Sequence, residues 1–428
     1  MPRMTNVLLL TIGFVGVARA DNWDRFRGPN GAGASNDKNV PLMFGPAKNM
    51  IWKVELPGVG NSSPIIWGKH LFIQSASSDG KLRSLLCLDT ADGKIRWQKS
   101  IPGAPAKIRA DSSLASSTPT TDGEAVFVSY WDGKDIHVVA YDFQGEMLWT
   151  KGLGTFNSQH GAGASPILYK DKLILANDMD KDDFDTKVPN VRPSILMALD
   201  KKTGRLVWET PRTAERACYS APFLLERPGQ KKPDLIVTST TAVTGYNVET
   251  GAKLWEAKGW QEHALKSPLR TVASPALVGD ILCVCSGGDA GRFAICIGLA
   301  GDGTSKEPRA VWENRKDFPY VPSPVAYGEH VYFVNDAGFA GCYHARTGKR
   351  LWFERLGDAA FNSSPLIIDG KVYAASVAGD VYVFAAEPNF RVLAHNELKE
   401  TIRATSAVAD GRLYIRGNVH LYCIGKSQ

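Results

Sequence analysis

The sequence alternates short apolar runs with turns that contain Gly, Asp or Asn. Residues 366–375, for example, are Leu-Ile-Ile-Asp-Gly-Lys-Val-Tyr-Ala-Ala, two apolar runs joined by an Asp-Gly turn. Runs rich in Val, Ile, Leu and Tyr and bounded by turn residues are typical of β-strands in tight hairpins. Apolar residues spaced as on one helix face are almost absent, so the pattern predicts an all-β protein.

The alternation is organised into a repeat. Each copy begins with a Ser/Ala-rich stretch that ends in Pro, continues through strand-like runs, passes a turn that ends in Gly and closes with a Trp. The turn glycine supplies the positive φ that a short hairpin loop needs. First strands are predicted to start near Pro64, Pro119, Pro166, Pro222, Pro275, Pro324, Pro365 and, with Ala in place of Pro, Ala407.

The closing Trp marks the period of the repeat. It recurs at spacings of 40 to 59 residues, as Trp52, Trp97, Trp149, Trp208, Trp255, Trp312 and Trp352. A period of about 40 to 50 residues that holds four strands is the signature of a β-propeller blade. We expect these tryptophans to pack between neighbouring blades rather than to stack on a cofactor.

The two ends of the repeat region decide the number of blades. Eight first strands are present, but the last repeat, 404–424, has three strands, and the strand at 51–56 precedes any complete repeat. Pairing that early strand with the last repeat would close the ring and remove two exposed edges. The prediction is a single eight-bladed β-propeller of four-stranded antiparallel blades at residues 51–426, preceded by a lead-in at residues 21–50.

The first 20 residues have the features of a cleavable export signal. Arg3 precedes an apolar stretch from Val7 to Val17, and Ala18-Arg19-Ala20 fits the small-x-small site of signal peptidase. The stretch is shorter than the about 20 residues that span a bilayer. We therefore predict a signal peptide at residues 1–20, a mature chain that begins at Asp21, no transmembrane segment, and a periplasmic or secreted protein.

The repeats resemble those of the pyrroloquinoline-quinone (PQQ)-like β-propeller family over residues 52–424. The shared motif is Ala/Cys-x-Asp-x-x-Thr-Gly-x-x-x-Trp, seen best at 198–208, 88–97 and 342–352. Residues 22–31, Asn-Trp-Asp-Arg-Phe-Arg-Gly-Pro-Asn-Gly, resemble the lead-in of exported bacterial propellers. The family includes quinoprotein dehydrogenases and the outer-membrane assembly scaffold BamB, so the resemblance implies the fold and leaves both an enzyme and a binding module open.

The sequence departs from both kinds of relative. The resemblance to quinoprotein enzymes would imply PQQ and calcium at the channel mouth, a disulfide between adjacent cysteines and a catalytic Asp. Here Val284 separates Cys283 from Cys285, no two cysteines are adjacent, and the chain is shorter than those enzymes. BamB-family chains start with a lipidated Cys after processing, whereas Asp21 is the predicted start here.

Composition and cysteine usage add two restrictions. The 428 residues include 50 Lys or Arg and 44 Asp or Glu, and the resulting net charge of +6 does not indicate a nucleic-acid binder. The seven cysteines lack the spacing of a metal site, and most lie in apolar runs typical of buried thiols: Cys87, Cys296, Cys342 and Cys423. If 281–285 and 293–297 form a hairpin, Cys283 would face Cys296 and could form a disulfide.

The candidate site is the mouth of the central channel. The innermost strand of each propeller blade starts at one end of the channel, so residues before the Pro-terminated stretches should surround that mouth. Arginines there could bind a carboxylate, a phosphate or an acidic peptide; alternatively they are solvated or paired with neighbours such as Asp111. The predicted ligand- or partner-binding residues are Asn61, Arg109, Asp111, His160 (with Gln159 beside it), Arg216, Tyr219, Arg270, Tyr320, Asn362 and Arg403.

Catalytic and metal-binding motifs are weak. The acidic segment 178–185 resembles half of a calcium loop, but Asp183 and Pro189 stand where an EF-hand needs Gly and Glu, so we interpret it as a solvated insertion. Gly-x-Ser-x-Gly, His-Glu-x-x-His and Gly-x-x-x-x-Gly-Lys motifs are absent from the sequence. His160 is a conceivable base near the mouth, but it lacks a positioned nucleophile in the sequence.

These features predict a non-catalytic, exported, monomeric propeller without a cofactor or metal. Its expected role is to scaffold protein partners, or to bind a small anionic ligand, in the cell envelope. The alternative is a quinoprotein dehydrogenase that uses PQQ and calcium to oxidise an alcohol or a sugar.

Overall fold

The computed structural model describes residues 22–180, 193–227, 229–258, 269–288, 291–299 and 308–426. These residues form eight sheets, one per blade, each with four antiparallel strands; the sheet of blade 7 gains a fifth, parallel strand from the lead-in. The predicted all-β eight-bladed propeller is confirmed. The helical structure within the described ranges is one 3-10 turn, Pro29–Gly31. None of the described residues forms a helix with the length and apolar character needed to cross a membrane.

The strands follow the repeat closely. Two precede the first complete blade: β1 (Ala34–Ser35) and β2 (Met50–Glu55). Blade 1 contains β3 (Ile65–Trp67), β4 (His70–Ala76), β5 (Leu82–Asp89) and β6 (Ile95–Pro102), and blade 2 contains β7 (Thr120–Thr121), β8 (Ala125–Trp131), β9 (Asp135–Asp142) and β10 (Met147–Thr155). Blade 3 contains β11 (Ile167–Tyr169), β12 (Lys172–Asn177), β13 (Ser194–Asp200) and β14 (Leu206–Arg212), and blade 4 contains β15 (Phe223–Leu225), β16 (Asp234–Thr238), β17 (Ala242–Asn247) and β18 (Lys253–Lys258). Blade 5 contains β19 (Ala276–Val278), β20 (Ile281–Gly288), β21 (Gly291–Gly298) and β22 (Arg309–Asn314), and blade 6 contains β23 (Val325–Tyr327), β24 (His330–Val334), β25 (Phe339–His344) and β26 (Arg350–Arg355). Blade 7 contains β27 (Leu366–Ile368), β28 (Lys371–Ala375), β29 (Asp380–Ala385) and β30 (Val392–Glu397), and blade 8 contains β31 (Ala407–Ala409), β32 (Arg412–Arg416) and β33 (His420–Ile424).

The ring closes through the early strand, as predicted. β2 pairs antiparallel with β33, so that Lys53 lies opposite Tyr422 and Val54 opposite Leu421. Blade 8 therefore takes three strands from the end of the repeat region and one from its beginning. This pairing gives a backbone partner to two edges that would otherwise be open.

The seven tryptophans pack between blades, which confirms their structural role. The indole N–H of Trp149 in blade 2 donates to the carbonyl of Lys201 in blade 3 at 2.9 Å. Gly204, beside Lys201, has φ +69°, and a Cβ there would lie 2.6 Å from the Trp149 ring. The turn glycine is thus required both by its hairpin and by the neighbouring indole. The others lie against the following blade in the same way or against a cluster shared by two blades: Trp52, Trp97, Trp208, Trp255, Trp312 and Trp352.

A belt of hydroxyl groups explains the Ser or Thr that precedes most of the first-strand prolines; Pro222, preceded by Ala221, is the exception. The Thr118 hydroxyl oxygen accepts a hydrogen bond from the Ser63 amide of the preceding blade at 3.1 Å, and five further bonds of this kind join successive blades. The belt corrects one assignment. Thr405 supplies the hydroxyl of blade 8, so Ser406, and not Ala407, stands where the other blades have Pro.

The lead-in crosses the channel at the end opposite the mouth. Trp23 pairs with Ile66 of β3 in blade 1, and Asn30 exchanges hydrogen bonds with Leu224 of β15 in blade 4. β1 then runs parallel to β27 in blade 7, after which the chain enters blade 8 as β2. The first strands end at this face, so the lead-in joins the far ends of blades on both sides of the ring.

Two arginines of the lead-in are buried inside the channel. Arg25 donates to the carbonyl of Pro222 in blade 4, and Arg27 to that of Pro324 in blade 6, each at 2.6 Å. Burial lowers the pKa of Arg25 to about 10 and that of Arg27 to about 9, so both remain charged at neutral pH. These side chains tie blades 4 and 6 to one segment.

Cysteine placement matches the hairpin prediction. Cys283 on β20 lies opposite Cys296 on β21, and the two form a disulfide. Cys87, Cys342 and Cys423 are buried free thiols, whereas Cys296 belongs to the disulfide and is not a free thiol.

Candidate functional site

The mouth of the channel holds a cavity of about 200 Å³. Its wall is the hydroxyl belt, which includes Ser63, Thr118 and Ser364, and Phe26 of the lead-in lies at its bottom. Because the lead-in fills the channel below, the cavity opens on the side where the first strands begin. Seven of the ten predicted residues line it: Asn61, Asp111, His160, Tyr219, Tyr320, Asn362 and Arg403.

Three predicted arginines do not line the cavity. Arg109 lies at the surface, where its guanidinium is 4.0 Å from the Asp111 carboxylate and the two side chains are 55% and 52% exposed. A pair this exposed contributes little to stability or to selectivity. Arg109 therefore lies outside the cavity, and its role in binding stays a prediction.

Arg216 and Arg270 are buried beside the mouth, and a buried carboxylate of the protein, Asp180, neutralises their charge. Both Asp180 oxygens accept from Arg270 at 2.9 Å, and Arg216 lies 3.2 Å from the same carboxylate. With its oxygen facing the guanidiniums, the Gln159 amide accepts from Arg270 at 3.0 Å and from Arg216 at 3.1 Å. Burial alone would lower the pKa of Arg270, but Asp180 raises it above its usual value. An internal carboxylate thus already holds both arginines, as in the alternative in which the mouth arginines are paired with neighbours.

The acidic segment also differs from its predicted role. Asp178 and Asp180 are each 1% exposed, and Asp178 forms a two-bond ion pair with Arg212 at 2.7 and 2.9 Å. Burial lowers the pKa of Arg212, but Asp178 raises it above its ordinary value overall. These two carboxylates are buried counter-ions and not part of a solvated insertion. The rest of the predicted insertion, 181–185, lies outside the described residues.

His160 lies at the edge of the cavity as a neutral imidazole. Its Nδ1 is 2.9 Å from the hydroxyl oxygen of Ser112, and its ring meets that of Tyr219 edge to face. Burial, reinforced by the charge of Arg270, lowers the pKa of His160 to about 4. A general base is most effective when its pKa is near the working pH, so this histidine is poorly suited to remove a proton at pH 7.

Arg403 is the predicted arginine that does line the cavity. Its guanidinium donates to the side-chain oxygen of Asn362 at 2.9 Å and has no carboxylate partner among the residues that the structure describes. The loop that carries it is held by Glu400, which accepts from the backbone amides of Val419 and His420 at 2.5 and 2.8 Å. Arg403 is therefore a positioned cation that faces the cavity.

The donor set at the mouth does not fit a calcium-bound quinone. Calcium takes about 6 to 8 oxygen ligands, usually with several carboxylates. The described residues lining the cavity offer one carboxylate, Asp111, which is turned towards Arg109. Within the described ranges, one group of three side chains could hold a metal, and it lies away from the mouth on blade 7: Asp380, His395 and Glu397.

Sequence reasoning missed the features that decide the charge of this site. Asp180 reaches Arg270 across 90 positions of the chain, and no local pattern signals that contact. Arg416 was also missed. It is 1% exposed and donates to the carbonyls of Ser62 and Gln74, and burial lowers its pKa to about 9. An Arg within the apolar strand Arg412–Arg416 is the one sequence signal that could have marked it.

Comparison with known proteins gives a consistent family and a mixed set of structural neighbours. A family model described as outer membrane protein assembly factor BamB matches residues 46–218 and 191–389. No curated protein matches the sequence. Solved structures with the same fold include BamB from Moraxella catarrhalis, with 14% identity, a TM-score of 0.61, and coverage of 88% of this chain and 99% of that one.

Two other neighbours show how widely the fold is used. A quinohemoprotein alcohol dehydrogenase from Comamonas testosteroni has 11% identity and a TM-score of 0.62, with 97% of this chain and 82% of that chain covered. Sqt1 from Saccharomyces cerevisiae has 10% identity and a TM-score of 0.63, with 89% and 99% covered. At these identities the likeness concerns the fold alone.

Proposed function

The chain belongs to the BamB-like family of PQQ-like β-propellers, and from this premise we propose that it is a non-catalytic propeller that binds a partner protein at the mouth of its channel, in the cell envelope. The observation that carries the proposal is the mouth cavity, which is closed below by the lead-in and presents Arg403 as its positioned cation. A rigid ring with a concave polar site suits recognition.

The chemistry of the cavity supports binding over turnover. The one histidine among its described lining residues has a pKa lowered to about 4, and the adjacent arginines Arg216 and Arg270 are neutralised by Asp180. The hydroxyl groups of the wall are occupied in the belt that joins the blades. These groups hold the structure together and leave few free to activate a substrate.

The alternative, a quinoprotein dehydrogenase, rests on the shared fold with enzymes such as the Comamonas protein. The lack of fit between the mouth residues and a calcium-bound quinone weighs against it. The test is a titration of the purified protein with PQQ and calcium, followed by absorbance and dye-linked alcohol oxidation. Stoichiometric PQQ binding with turnover would overturn our proposal.

The envelope location rests on the signal peptide predicted at residues 1–20, which lie outside the described residues. We expect the exported protein to be a monomer that begins at Asp21. N-terminal sequencing of the protein from the cell envelope would show this start, and an intact Met1 would refute the processing step.

Site-specific crosslinking tests the mouth as the partner site. A photoreactive residue at Val321, which lines the cavity, should crosslink one partner in intact cells. The matched position is Val392, which is 47% exposed on the outer edge of blade 7 and should give no such product. Crosslinking from position 392 but not from position 321 would show that the partner binds the outer rim and would reject the proposal.

A further inference from the structure

A lateral groove of about 430 Å³ leads away from the mouth cavity, between the connections of blades 8, 1 and 2. One wall is apolar and is formed by Pro105, Ile108 and Leu114; the other includes Val59 and Gly60. The groove and the cavity share three lining residues: Asn61, Ser112 and Arg403. The two spaces therefore meet at Arg403.

Two guanidiniums without a carboxylate partner in the described part of the chain lie at this junction. Arg403 lines both spaces and donates a hydrogen bond to the neutral side-chain amide of Asn362. Arg416 lies under the groove floor: a Cβ on Gly60 would be 2.8 Å from its Nη2. Nε and Nη2 of Arg416 are buried and have no hydrogen-bond partner. The carboxylates that line the two spaces, Asp111 and Asp79, lie beside Arg109 and Lys81 instead. The junction thus holds two guanidiniums without an ion-pair partner in the described residues where a ligand would enter.

The junction is built on fixed elements. The amides of Asn61 and Ser62 both donate to the carbonyl of Ala115, at 3.0 and 2.9 Å, which joins the groove floor to its apolar wall. Glu400 anchors the loop that carries Arg403, as described above. A site that is already ordered loses little conformational entropy when a ligand binds.

We propose that the groove and the cavity form one site for the C-terminal segment of a partner protein, with the terminal carboxylate on Arg403 and apolar side chains against Ile108 and Leu114. This inference rests on the proposed function and specifies what the mouth recognises. A chain terminus supplies the charge that the junction lacks, its backbone amides match the polar groups of Asn61 and Asn362, and its side chains match the apolar wall.

The test uses a pool of fluorescein-labelled random hexapeptides with free C-terminal carboxylates, and the same pool with amidated C-termini. The wild-type protein should retain apolar sequences from the first pool and lose about tenfold or more in affinity for the matching amidated peptides, because a charge-assisted bond is removed. Equal binding of the two pools would overturn the carboxylate contact. Dodecanoate is titrated in parallel as an apolar carboxylate without a peptide backbone. If it binds and no peptide is retained, the site takes a fatty acid and the proposal is overturned.

Variants of the chain then locate the site. Arg403→Gln should weaken the selected peptides about tenfold or more, and Arg403→Lys should have an intermediate effect because it keeps the charge without the planar fork. The matched control is Arg109→Gln, which removes the same charge from the mouth at a residue outside both spaces; it should change affinity less than about twofold. Thermal unfolding of each variant confirms that the fold is intact.

The outcomes separate this inference from the proposed function. If the Val321 crosslink to a partner persists in Arg403→Gln and no peptide is retained, the mouth binds a partner by another surface and the C-terminal inference fails alone. If neither crosslink nor peptide binding is found, both proposals fail.

Discussion

The two sides of the channel mouth use arginine in opposite ways. On the side of blades 3 to 5, Arg216 and Arg270 are buried and share the Asp180 carboxylate. On the side of blades 7, 8 and 1, Arg403 contacts a neutral amide and lines a cavity. All three stand just before a first strand, so their position in the repeat does not determine their role. Their role depends instead on whether a buried counter-ion is present. A guanidinium that is paired with a buried carboxylate is neutralised within the protein, whereas one without such a partner can bind a ligand.

The largest expected effect is that of removing the counter-ion. Asp180→Ala would remove the buried carboxylate that Arg216 and Arg270 share, and we expect the free energy of unfolding to fall by about 3 to 5 kcal/mol. Urea unfolding measures this value. The matched control, Asp111→Ala, removes a carboxylate from the exposed pair with Arg109 and should cost less than about 1 kcal/mol. Equal losses in the two variants would mean that burial does not distinguish the two sides.

A double-mutant cycle sharpens the comparison. Asp180→Asn should lower the free energy of unfolding by about 1 to 3 kcal/mol less in an Arg270→Met background than in the wild type, because the ion pair between Asp180 and Arg270 is already absent there. The corresponding cycle for Arg403 combines Asn362→Ala with Arg403→Met and should give a coupling free energy below about 0.5 kcal/mol. The contact between these two side chains is half-buried, and one partner, the Asn362 amide, is uncharged. Additive effects in the Asp180 cycle would contradict the ion pair.

The pH dependence of stability tests the environment of His160, which lies between the two sides. The folded-state pKa is about 4 and the ordinary value is 6.5, so the unfolded chain takes up a proton first as the pH falls. Its contribution is therefore fully present above pH 6.5 and is lost between pH 6.5 and 4. After allowance for its partly exposed ring, wild type should lose about 1 to 2 kcal/mol more than His160→Gln over this range. Parallel stability curves would show that His160 titrates normally.

The smallest expected effect on stability is that of Arg403. Arg403→Ala removes one hydrogen bond to Asn362, and the guanidinium is half-buried, so the free energy of unfolding should change by less than about 1 kcal/mol. Urea unfolding beside Asp180→Ala measures the contrast directly. A loss comparable to that of Asp180→Ala would mean that Arg403 supports the fold, and the binding role proposed for it would lose its basis.

The fold could be predicted because its signals are local and repeated. The Thr-Gly turn, the closing Trp and the Pro-terminated start each lie within one blade, and the unmatched strand at 51–56 indicated how the ring closes. One part of the repeat could not be explained from the sequence, namely the Ser or Thr before the Pro. Its hydroxyl oxygen accepts a hydrogen bond from an amide about 50 positions away, as Thr118 does from Ser63. The register that makes this contact exists only once the blades are side by side.

The site could be predicted in position but not in charge. Seven of the ten predicted residues line the cavity, since the start of a first strand fixes their place in space. The pairing of Asp180 with Arg270, and the burial of Arg416 under Gly60, depend on contacts between blades. An acidic run such as 178–185 indicates solvent exposure when taken alone, and only the folded ring shows that two of its members face inward.

The path of the lead-in has a consequence for how the molecule is made. The segment that crosses the channel, and β2 after it, are synthesised first, but their partners in blades 7 and 8 are synthesised last. Until Leu421 and Tyr422 have been synthesised, β2 has no strand to pair with, and its backbone hydrogen-bonding groups stay unpaired. Contacts this distant in sequence form slowly, and an incomplete ring exposes strand edges that can associate wrongly. Formation of blade 8 is thus the step that closes the ring. A chain whose synthesis stops before this blade would keep exposed strand edges, which chaperones and proteases recognise.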